Sequence, residues 1–392
     1  MKKFDIMFCG HVCLDITPQF PREKRALSDV FRPGKLISVG GATVSLGGSV
    51  SNSGAAAAQL GLRTLINTRV GNDDFGNTIR SLFNKYDLTQ KIDSSEEGST
   101  SYSVVLSVPG SDRIFLHNTG TNDMFMPEDV DYEAAASSRI FHFGYPPLMK
   151  NMYEHPELFE EIVSKVHNGG TAVSLDMALP DPTAPAGQKD WNAILSRVMP
   201  YIDIFVPSFE ELLLMLDRAR YEELNANAQG RDIIEIMEIS ELTRLADKLL
   251  EMGVGVLVIK CGLKGYYIRT GSAERIKNIP GLELDCDVWA EREFICQALD
   301  TQNIVSATGA GDSSISGFLC AILNAKTPEE CARCAVSTAH FCLQTVDAAS
   351  GIPKFDKVLE LAHSDMDEVS HMDESRGTYK NKVWLLANDS KK

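Results

Sequence analysis

The stretch VSATGAGDSSISGFLCAIL, residues 305–323, joins a glycine-rich turn to a carboxylate at the start of a helical pattern. Gly309, Ala310 and Gly311 precede Asp312, and apolar side chains then recur at helical spacing. The first-turn amides of a helix attract negative charge. Asp312 could therefore be a helix cap, or a general base that takes a proton from a hydroxyl beside a bound anion.

The second alternative is the chemistry of phosphoryl transfer, which needs positioning and charge neutralisation more than covalent catalysis. The GAGD sequence offers backbone N–H donors for a phosphate and a carboxylate one step further along. The chain has no G-x-x-x-x-G-K-[ST] loop, and GATVSLGGS lacks the G-x-G-x-x-G spacing of a dinucleotide site. Taken alone, GAGD leaves both alternatives open.

The elements around this motif predict an α/β fold. From residue 139 onward strand and helix patterns alternate, which indicates parallel βαβ units with helices on both faces of a sheet. Residues 5–16 read as one buried strand. The segments SYSVVLSV and RIFLHNTG predict a hairpin about PGSD. The early strands are short and interrupted by glycine, so we expect a small sheet that projects from the main body.

Two segments depart from that alternation. Residues 218–239 read as an inserted helix or loop, and the tail beyond Pro353 is polar and acidic except for one late apolar patch, VWLLA. We therefore expect a main domain over residues 1–355 and a polar C-terminal extension over residues 356–392.

Composition excludes several classes of function. The 392 residues carry a formal net charge of −16 with no basic cluster, so nucleic acid and anionic membranes are not expected partners. No apolar run is long enough to span a membrane, and Asp5 and Asp15 disrupt the N-terminus as a signal peptide. Nine scattered cysteines fit reduced thiols in a cytoplasmic protein.

One group of cysteines raises the question of a metal site. Cys331, Cys334, His340 and Cys342 all fall within CARCAVSTAHFCL, which reads as one amphipathic helix. Four ligands on one straight helix cannot converge tetrahedrally on zinc, so we interpret the cysteines as core residues. The same interpretation applies to CGHVC near the N-terminus, which reads as part of a strand.

Other motifs set GAGD in a family context. The chain carries LGGSVSNSGAAAAQLG and VGNDDFG early and TGAGD late, in an order that resembles the ribokinase-like (PfkB) carbohydrate kinases over roughly residues 4–355. Further matches are CGHVCLDI, GTND, VPSFEE, VIKCGLKGYYI and SGIP. The resemblance implies a ribokinase-like three-layer α/β/α sandwich with a mostly parallel central sheet. It also implies a small β-sheet lid, built from segments near residues 11–48 and 100–120.

The resemblance implies a role for each matching residue. Asp312 would be the catalytic base, and the amides of Gly309, Ala310 and Gly311 would form the anion hole. The groups expected to hold substrate hydroxyls are Asp15, Gly47, Gly48 and Asn52. From the residues alone, Asp15 could instead be a strand-end turn residue, the two glycines a simple bend, and Asn52 a helix N-cap.

The nucleotide side is assigned in the same way. Gly262 and Gly265 would pass close to ATP, and Glu211 would organise Mg²⁺ through water, or it could be a solvated acid in the first turn of a helix. Lys260 stands where a threonine or serine is common in the family, and could be a phosphate ligand or a solvated strand end. Three serines also stand where the family usually has another residue. Ser208 replaces the Asn of N-x-x-E, Ser306 replaces an Asp near a monovalent-cation site, and Ser314 replaces a Phe.

These expectations describe an ATP- and Mg²⁺-dependent kinase that phosphorylates a hydroxyl of a small-molecule sugar, with a monovalent cation doubtful because of Ser306. A homodimer through the lid is a further implication of the resemblance. Two alternatives remain: a nucleoside kinase of the same superfamily, and a non-catalytic sugar- or nucleotide-binding relative. The lid segment KLISVGGATVSL has no aromatic residue to clamp a base, and the intact Asp312 argues against the non-catalytic alternative.

Overall fold

The computed structural model describes residues 2–23, 27–110, 113–369 and 377–391, which form an eleven-stranded central sheet and a separate four-stranded sheet. The strands are β1 Phe4–Gly10, β2 Cys13–Pro18, β3 Ala42–Gly47, β4 Thr64–Gly71, β5 Leu88–Ser95, β6 Tyr102–Leu106, β7 Ile114–Asn118, β8 Ser138–Gly144, β9 Ala172–Asp176, β10 Ile204–Phe205, β11 Val256–Lys260, β12 Tyr266–Thr270, β13 Glu293–Cys296, β14 Thr378–Lys380 and β15 Val383–Leu385.

The central sheet has the order β14-β15-β13-β12-β11-β10-β9-β8-β1-β4-β5. Every pair from β11 to β5 in that order is parallel, and the pairs from β11 to β14 are antiparallel. The expectation of a mostly parallel central sheet is therefore confirmed.

The helices cover both faces of this sheet. They are α1 Leu27–Val30, α2 Ser49–Leu60, α3 Asp74–Phe83, α4 Tyr132–Ala136, α5 Lys150–Glu154, α6 Pro156–Asn168, α7 Trp191–Val198, α8 Phe209–Leu216, α9 Arg218–Ala228, α10 Ile233–Ile236, α11 Ile239–Glu251, α12 Ala273–Lys277, α13 Cys286–Trp289, α14 Ala310–Leu323, α15 Pro328–Leu343 and α16 Phe355–His363. Short 3₁₀ turns lie at Gly120–Met124, Pro127–Asp129, Pro146–Leu148, Ala186–Gln188, Met199–Tyr201 and Gly262–Lys264.

Alternation along the strands builds two hydrophobic cores. Met7 of β1 belongs to the core that α6, α7, α8 and α11 cover on one face, whereas its neighbour Phe8 belongs to the core that α2, α14, α15 and α16 cover on the other. Ile140 and Phe141 of β8 divide in the same way. Successive side chains of a strand point to opposite faces, so strands that are apolar throughout become the middle of three layers.

The four-stranded sheet, in the order β3-β2-β6-β7, is the projecting sheet that the early strands predicted. Strands β2 and β3 pair antiparallel, β2 and β6 pair parallel, and β6 and β7 form the expected hairpin. Ser111 and Asp112 of its expected PGSD turn lie outside the described residues. All four strands come from the two segments assigned to the lid, and we call this sheet the lid.

The interpretation of residues 5–16 as one strand is wrong. The chain forms β1 in the central sheet and then β2 in the lid. The break falls at Gly10, which has φ 117 and passes so close to Gly144 that an added Cβ would lie 2.7 Å from its carbonyl oxygen. The apolar pattern continues across the break because the residues on both sides are buried, so the pattern does not show it.

The segment expected to be a polar extension beyond residue 355 contributes strands to the central sheet. Strand β15, formed by the apolar patch near the C-terminus, pairs with β13, and its three residues are buried. Asp389 is buried beyond it and lies 3.1 Å from the Arg292 guanidinium. The tail therefore adds strands to the central sheet, while residues 370–376 and 392 lie outside the described residues.

The structures of the inserted segment and of the cysteine-rich helix agree with the predictions from the sequence. Residues 218–239 include α9 and α10, which bury Leu224 and Ile233 against the core. Cys331, Cys334 and Cys342 are buried along α15, so their interpretation as core residues is confirmed. Within the described ranges, no helix has both the length and the apolar character needed to cross a membrane.

Candidate active site

Polar side chains gather at the carboxyl ends of the parallel strands, next to the lid. His11 follows β1, Tyr145 follows β8, Asp176 ends β9 and Lys260 ends β11. The amino end of α14, with Asp312 in its first turn, faces the same edge of the sheet. Ligands of open α/β sheets bind at this edge, so the fold brings the candidate residues to one place.

Asp312 is held by side chains from two other elements. Its Oδ2 accepts a hydrogen bond from Asn52 Nδ2 at 2.9 Å, and its Oδ1 accepts one from the Tyr145 hydroxyl at 2.8 Å. Helix α2 is built of small residues and lies close to the start of α14. Its Ser53 Oγ also donates to the Asp312 carbonyl oxygen at 3.1 Å. Asn52 therefore holds the Asp312 carboxylate by a hydrogen bond, in addition to any contact that it makes with substrate.

Burial dominates the electrostatics of Asp312. Desolvation raises the pKa of its carboxyl, while Lys260, Asn52 and Tyr145 oppose that rise. Donors and a nearby cation favour the charged form of an acid, and burial favours the neutral form. A carboxylate that is both buried and supported by donors suits the acceptance of a proton from a substrate hydroxyl.

The glycine-rich turn before Asp312 has the conformation of a helix start. Gly309 has φ 74 and is the N-cap of α14, and an added Cβ would lie 2.1 Å from Ala348 Cβ. The Ala310 N–H donates to Ala307 at 3.3 Å within the turn. Gly311 follows, and a Cβ added to it would have the Lys260 side chain as its nearest neighbour, at 3.8 Å. The binding of a phosphate by these three amides stays a prediction.

Lys260 lies beside that turn and is not a solvated strand end. Its Nζ lies 2.6 Å from Asp176 Oδ1, and a Cβ added to Gly311 would lie 4.0 Å from the same Nζ. Burial alone would lower the pKa of Lys260, but Asp176, Glu211 and Asp312 raise it above its ordinary value. Lys260 therefore stays positively charged within reach of the Gly309–Gly311 turn.

Asp176 is a member of this cluster that the sequence did not single out. It is fully buried, and its Oδ2 has no hydrogen-bond partner among the described residues. Burial acts to raise the pKa of its carboxyl, and the Lys260 ammonium beside it acts to lower that pKa and favours the charged form. A buried, unpartnered carboxylate oxygen at a strand end is a ready acceptor for water or a cation.

Glu211 is part of a capping box at the start of α8. Its Oε2 accepts from the Ser208 N–H at 2.6 Å, and Ser208 Oγ accepts from the Glu211 N–H at 3.2 Å. It is 8% exposed, so it is not a solvated first-turn acid. Its role toward Mg²⁺ stays a prediction.

Asp15 and the two early glycines form one unit. Asp15 lies on β2, and a Cβ added to Gly47 would lie 2.4 Å from its carboxylate. Gly48 has φ 86, and a Cβ added to it would lie 2.6 Å from His11 Nδ1. Burial raises the pKa of Asp15 to about 6. The double glycine is therefore required by close approach to Asp15 and His11, whether or not it also contacts substrate.

A cleft of about 340 Å³ lies between the lid and the body. Asp15 and residues of β3 line it from the lid, and Asn52, Ser306 and Asp347 line it from the body. Its volume is in the range of small-molecule sites. Asn52 connects the cleft to Asp312, because it lines the cleft and its side-chain amide donates to that carboxylate.

The turn that follows β11 requires both of its glycines. Gly262 has φ 51 and Gly265 has φ 86, and a Cβ on Gly265 would lie 2.1 Å from the Cys296 carbonyl oxygen. The turn is therefore explained by backbone geometry, and its proximity to ATP stays a prediction.

Comparison with known proteins identifies the family. The model of the pfkB family carbohydrate kinases matches residues 5–354. The chain belongs to this PfkB family. An uncharacterized sugar kinase of Archaeoglobus fulgidus is 23% identical over 297 residues, which cover 76% of this chain and 98% of that protein.

Solved structures show the same fold. Arabidopsis thaliana ribokinase complexed with ribose and ATP superposes with a TM-score of 0.67 and 20% identity, covering 92% of this chain and 99% of that one. The nucleoside kinase of Methanocaldococcus jannaschii gives a TM-score of 0.61 and 21% identity, covering 92% of this chain and 98% of that one. This PfkB-family chain therefore has the ribokinase fold, with the lid as its smaller sheet.

The serines that depart from the PfkB pattern have local partners. Ser314 is buried in α14 and accepts a hydrogen bond from the Tyr266 hydroxyl, so it is a packed polar contact where the family has a phenylalanine. Ser306 Oγ accepts from the Thr308 N–H at 3.1 Å. Ser208 closes the capping box with Glu211. Each departure therefore has a structural accommodation in this PfkB kinase.

The sequence analysis did not identify two further residues of the candidate site. Tyr145 adopts a left-handed backbone, φ 63 and ψ 44, which is a strained conformation for a non-glycine residue. Arg113, directly before β7, donates to Thr308 Oγ1 and so links the lid to the GAGD turn. A polar residue directly after a buried strand was the available signal for Tyr145, whereas nothing local marks Arg113.

Proposed function

We propose that this PfkB-family kinase transfers the γ-phosphoryl group of ATP to a hydroxyl of a sugar bound between the lid and the body, with Asp312 as general base. The observation that carries the proposal is the position of Asp312. Its buried carboxylate lies at the amino end of α14, beside the Gly309–Gly311 turn and the Lys260 ammonium, and connects through Asn52 to the cleft.

Each reacting group has a counterpart in the chain. A sugar hydroxyl gives its proton to Asp312 as its oxygen attacks the γ-phosphorus, and the bond to the β-phosphate oxygen breaks to release ADP. A carboxylate has about four acceptor positions, so the bonds from Asn52 and Tyr145 leave room for the hydroxyl. The charge on the transferred group is stabilised by the amides of residues 309–311 and by Lys260.

The cleft supports a sugar as substrate. Asp15 and Asn52 line it from opposite sides and can accept from and donate to vicinal hydroxyls. Strand β3 contributes Thr43, Val44, Ser45 and Leu46 to the cleft, and this strand offers no aromatic side chain to stack on a nucleobase. Tyr86, on the body side, is the aromatic residue among the described residues that line the cleft. We therefore rank a nucleoside kinase second. The match to the nucleoside kinase fold shows the architecture that both activities share.

Mg²⁺ fits the acidic groups near Lys260. Glu211 and the unpartnered oxygen of Asp176 are oxygen donors of the kind that Mg²⁺ binds directly or through water. When bound with ATP, Mg²⁺ would neutralise phosphate charge. Asp176 holds Lys260 in place by an ion pair, and the same carboxylate keeps one oxygen for water or the ion.

Assembly and location are also proposed. Val44, Phe115 and Leu116 on the lid are 43%, 50% and 55% exposed, which supports a homodimer through that sheet. Light scattering of the wild type and of a Phe115→Ser/Leu116→Ser variant would test it, and a wild-type monomer would contradict it.

All nine cysteines are unpaired, which supports a cytoplasmic location.

The function is tested with a substrate panel. Ketoses, aldoses, keto-deoxy sugar acids and nucleosides are assayed by coupled ADP release with Mg-ATP. We expect a sugar or sugar acid to give the highest kcat/KM. Preference for a nucleoside would favour the second candidate, and no turnover with any member, in a protein that binds ATP, would favour a non-catalytic relative.

A further inference from the structure

Two histidines and a cysteine meet at the base of the lid, and none of them has a part in the phosphoryl transfer described above. His11 lies in the short link between β1 and β2, Cys13 begins β2, and His117 lies on β7. Their ligand atoms lie within 4.8 Å of one another. We propose that His11, Cys13 and His117 form a zinc site that joins the lid to the end of the central strand β1.

The distance between the two imidazoles fits one metal ion. His11 Nε2 and His117 Nε2 are 3.3 Å apart. Two nitrogens bound to one tetrahedral zinc at its usual bond length of about 2.0–2.1 Å lie about 3.3–3.4 Å apart. The Cys13 sulfur lies within 4.8 Å of the ligand nitrogen of each histidine, and a sulfur and a nitrogen bound to one tetrahedral zinc at their usual lengths lie about 3.5 Å apart, so an approach of at most about 1.3 Å brings the sulfur into place. Rotation about its Cα–Cβ bond provides a movement of that size.

A neighbouring hydroxyl orients one of the proposed ligands. The Ser103 hydroxyl lies 2.9 Å from His117 Nδ1, which orients the ring and leaves Nε2 directed at His11. A hydrogen bond to the other ring nitrogen is the usual second-shell support of a metal-bound histidine. His11 is 1% exposed and His117 is partly exposed, so an ion can enter from the His117 side.

The charges around the cluster favour a divalent cation. The Cys13 thiol donates to Asp15 Oδ1 at 3.4 Å, so the sulfur carries its proton in the metal-free chain and releases it when zinc binds. The thiolate and the Asp15 carboxylate would then offset the two positive charges. Sulfur and imidazole ligands select zinc over Mg²⁺, which prefers oxygen, so the ion that accompanies ATP does not compete for this site.

The placement indicates what the ion does. In the lid order β3-β2-β6-β7, strands β2 and β7 are separated by β6, and His11 belongs to the link that leaves the body. One ion would therefore tie two non-adjacent lid strands to the body beside Asp15. Three protein ligands leave a fourth position open, as in zinc sites that exchange their remaining ligand.

Zinc binding itself is the test, and it needs neither ATP nor sugar, so it stands apart from the proposed function. The full chain is stripped with EDTA, dialysed against ZnCl₂ and analysed for metal, and its affinity is measured by competition with a chromogenic chelator. We expect one zinc per chain. Cys13→Ser and His117→Gln should each weaken binding at least about tenfold, since even the loss of a second-shell partner costs that much.

Matched controls remove a thiol or an imidazole elsewhere. Cys286→Ser and His340→Gln should bind zinc like the wild type. In the wild type, Co²⁺ should give a thiolate-to-cobalt charge-transfer band that Cys13→Ser lacks.

His117→Gln decides the question if Cys13→Ser does not fold, as judged by circular dichroism without zinc. Equal binding by the wild type and the folded His117→Gln variant, or no stoichiometric zinc in the wild type, would show that the two histidines only share a hydrogen bond.

Discussion

The Tyr145 hydroxyl donates a hydrogen bond of 2.8 Å to Oδ1 of Asp312, from a residue held in a left-handed backbone conformation. The strain places a phenol directly on the carboxylate that we propose as the base. A donor of this kind stabilises the charged form of Asp312 against the desolvation that burial imposes. Tyr145 is therefore proposed as a positioning residue that keeps the base deprotonated and oriented.

Tyr145→Phe should move the acid limb of the kcat–pH profile to higher pH. Removal of a hydrogen bond to a charged group costs about 1.5–3 kcal/mol, which corresponds to a shift of roughly one to two pH units. Tyr266→Phe is the control, because that hydroxyl donates to Ser314. An unchanged acid limb in Tyr145→Phe, with a normal fold, would mean that the hydroxyl has no influence on the base.

Asp312→Asn should lower turnover by ~10²–10⁴-fold, the range for loss of a positioned acid–base group. Asparagine caps a helix about as well as aspartate, so the fold should survive. ATP affinity, measured by calorimetry, should stay the same or tighten because a negative charge near the phosphates is lost. Asp190→Asn, at the N-cap of α7, is the matched control and should be nearly silent. More than about a tenth of wild-type turnover in Asp312→Asn would return Asp312 to the role of a structural residue.

Asp15→Ala should weaken the use of the sugar and leave the nucleotide unaffected. A hydrogen bond to a charged group contributes about 1.5–3 kcal/mol, so kcat/KM for the sugar should fall roughly 10- to 150-fold. The assay is run in zinc-free buffer, with Asp93→Ala as the charge control, since that acid on β5 has a side chain 43% exposed. An equal loss of ATP affinity would show that Asp15 supports the structure of the lid.

Potassium should have little effect on activity. Ser306 presents a neutral hydroxyl where the family commonly has a carboxylate, and a hydroxyl is a weaker ligand for a cation. Turnover is measured during a titration with KCl against choline chloride at constant ionic strength. A rise of about tenfold or more, equal to about 1.4 kcal/mol of barrier, would contradict this expectation.

His142 should make the fold sensitive to acid. Burial lowers its pKa from 6.5 to about 3, with a smaller contribution from Lys260. The unfolded chain therefore binds a proton that the folded chain excludes, so stability is fully present above pH 6.5 and is lost as pH falls toward 3. Between pH 7 and pH 5 this one group should reduce the free energy of unfolding by about 2 kcal/mol.

Urea unfolding at both pH values measures the difference. The His142→Gln variant should show about 2 kcal/mol less acid destabilisation than the wild type. His155→Gln, which removes a histidine with a 59% exposed side chain, should behave like the wild type. Equal pH dependence in His142→Gln and the wild type would show that the buried imidazole is not the source.

Local patterns predicted most of the elements and drew attention to the candidate site residues. The apolar spacing after Asp312 predicted α14, the small residues after Asn52 predicted α2, and the glycines mark places where a Cβ does not fit. These features depend on side-chain period and backbone conformation, which neighbouring residues decide. The break at Gly10 and the strand at 383–385 escaped prediction because burial at those points comes from distant partners.

Only the tertiary structure decided which residues meet. His11 and His117 are 106 residues apart, Tyr145 and Asp312 are 167 apart, and Asn52 and Asp312 are 260 apart. The order of strands in the sheet, with β1 between β8 and β4, brings them to one edge. That order depends on how two apolar faces are covered by helices from the whole chain, so no local pattern contains it. The sequence therefore predicted Asp312 as the base and its glycine turn as the anion hole, and the fold alone brought Tyr145, Asp176 and the histidine–cysteine cluster to the candidate site.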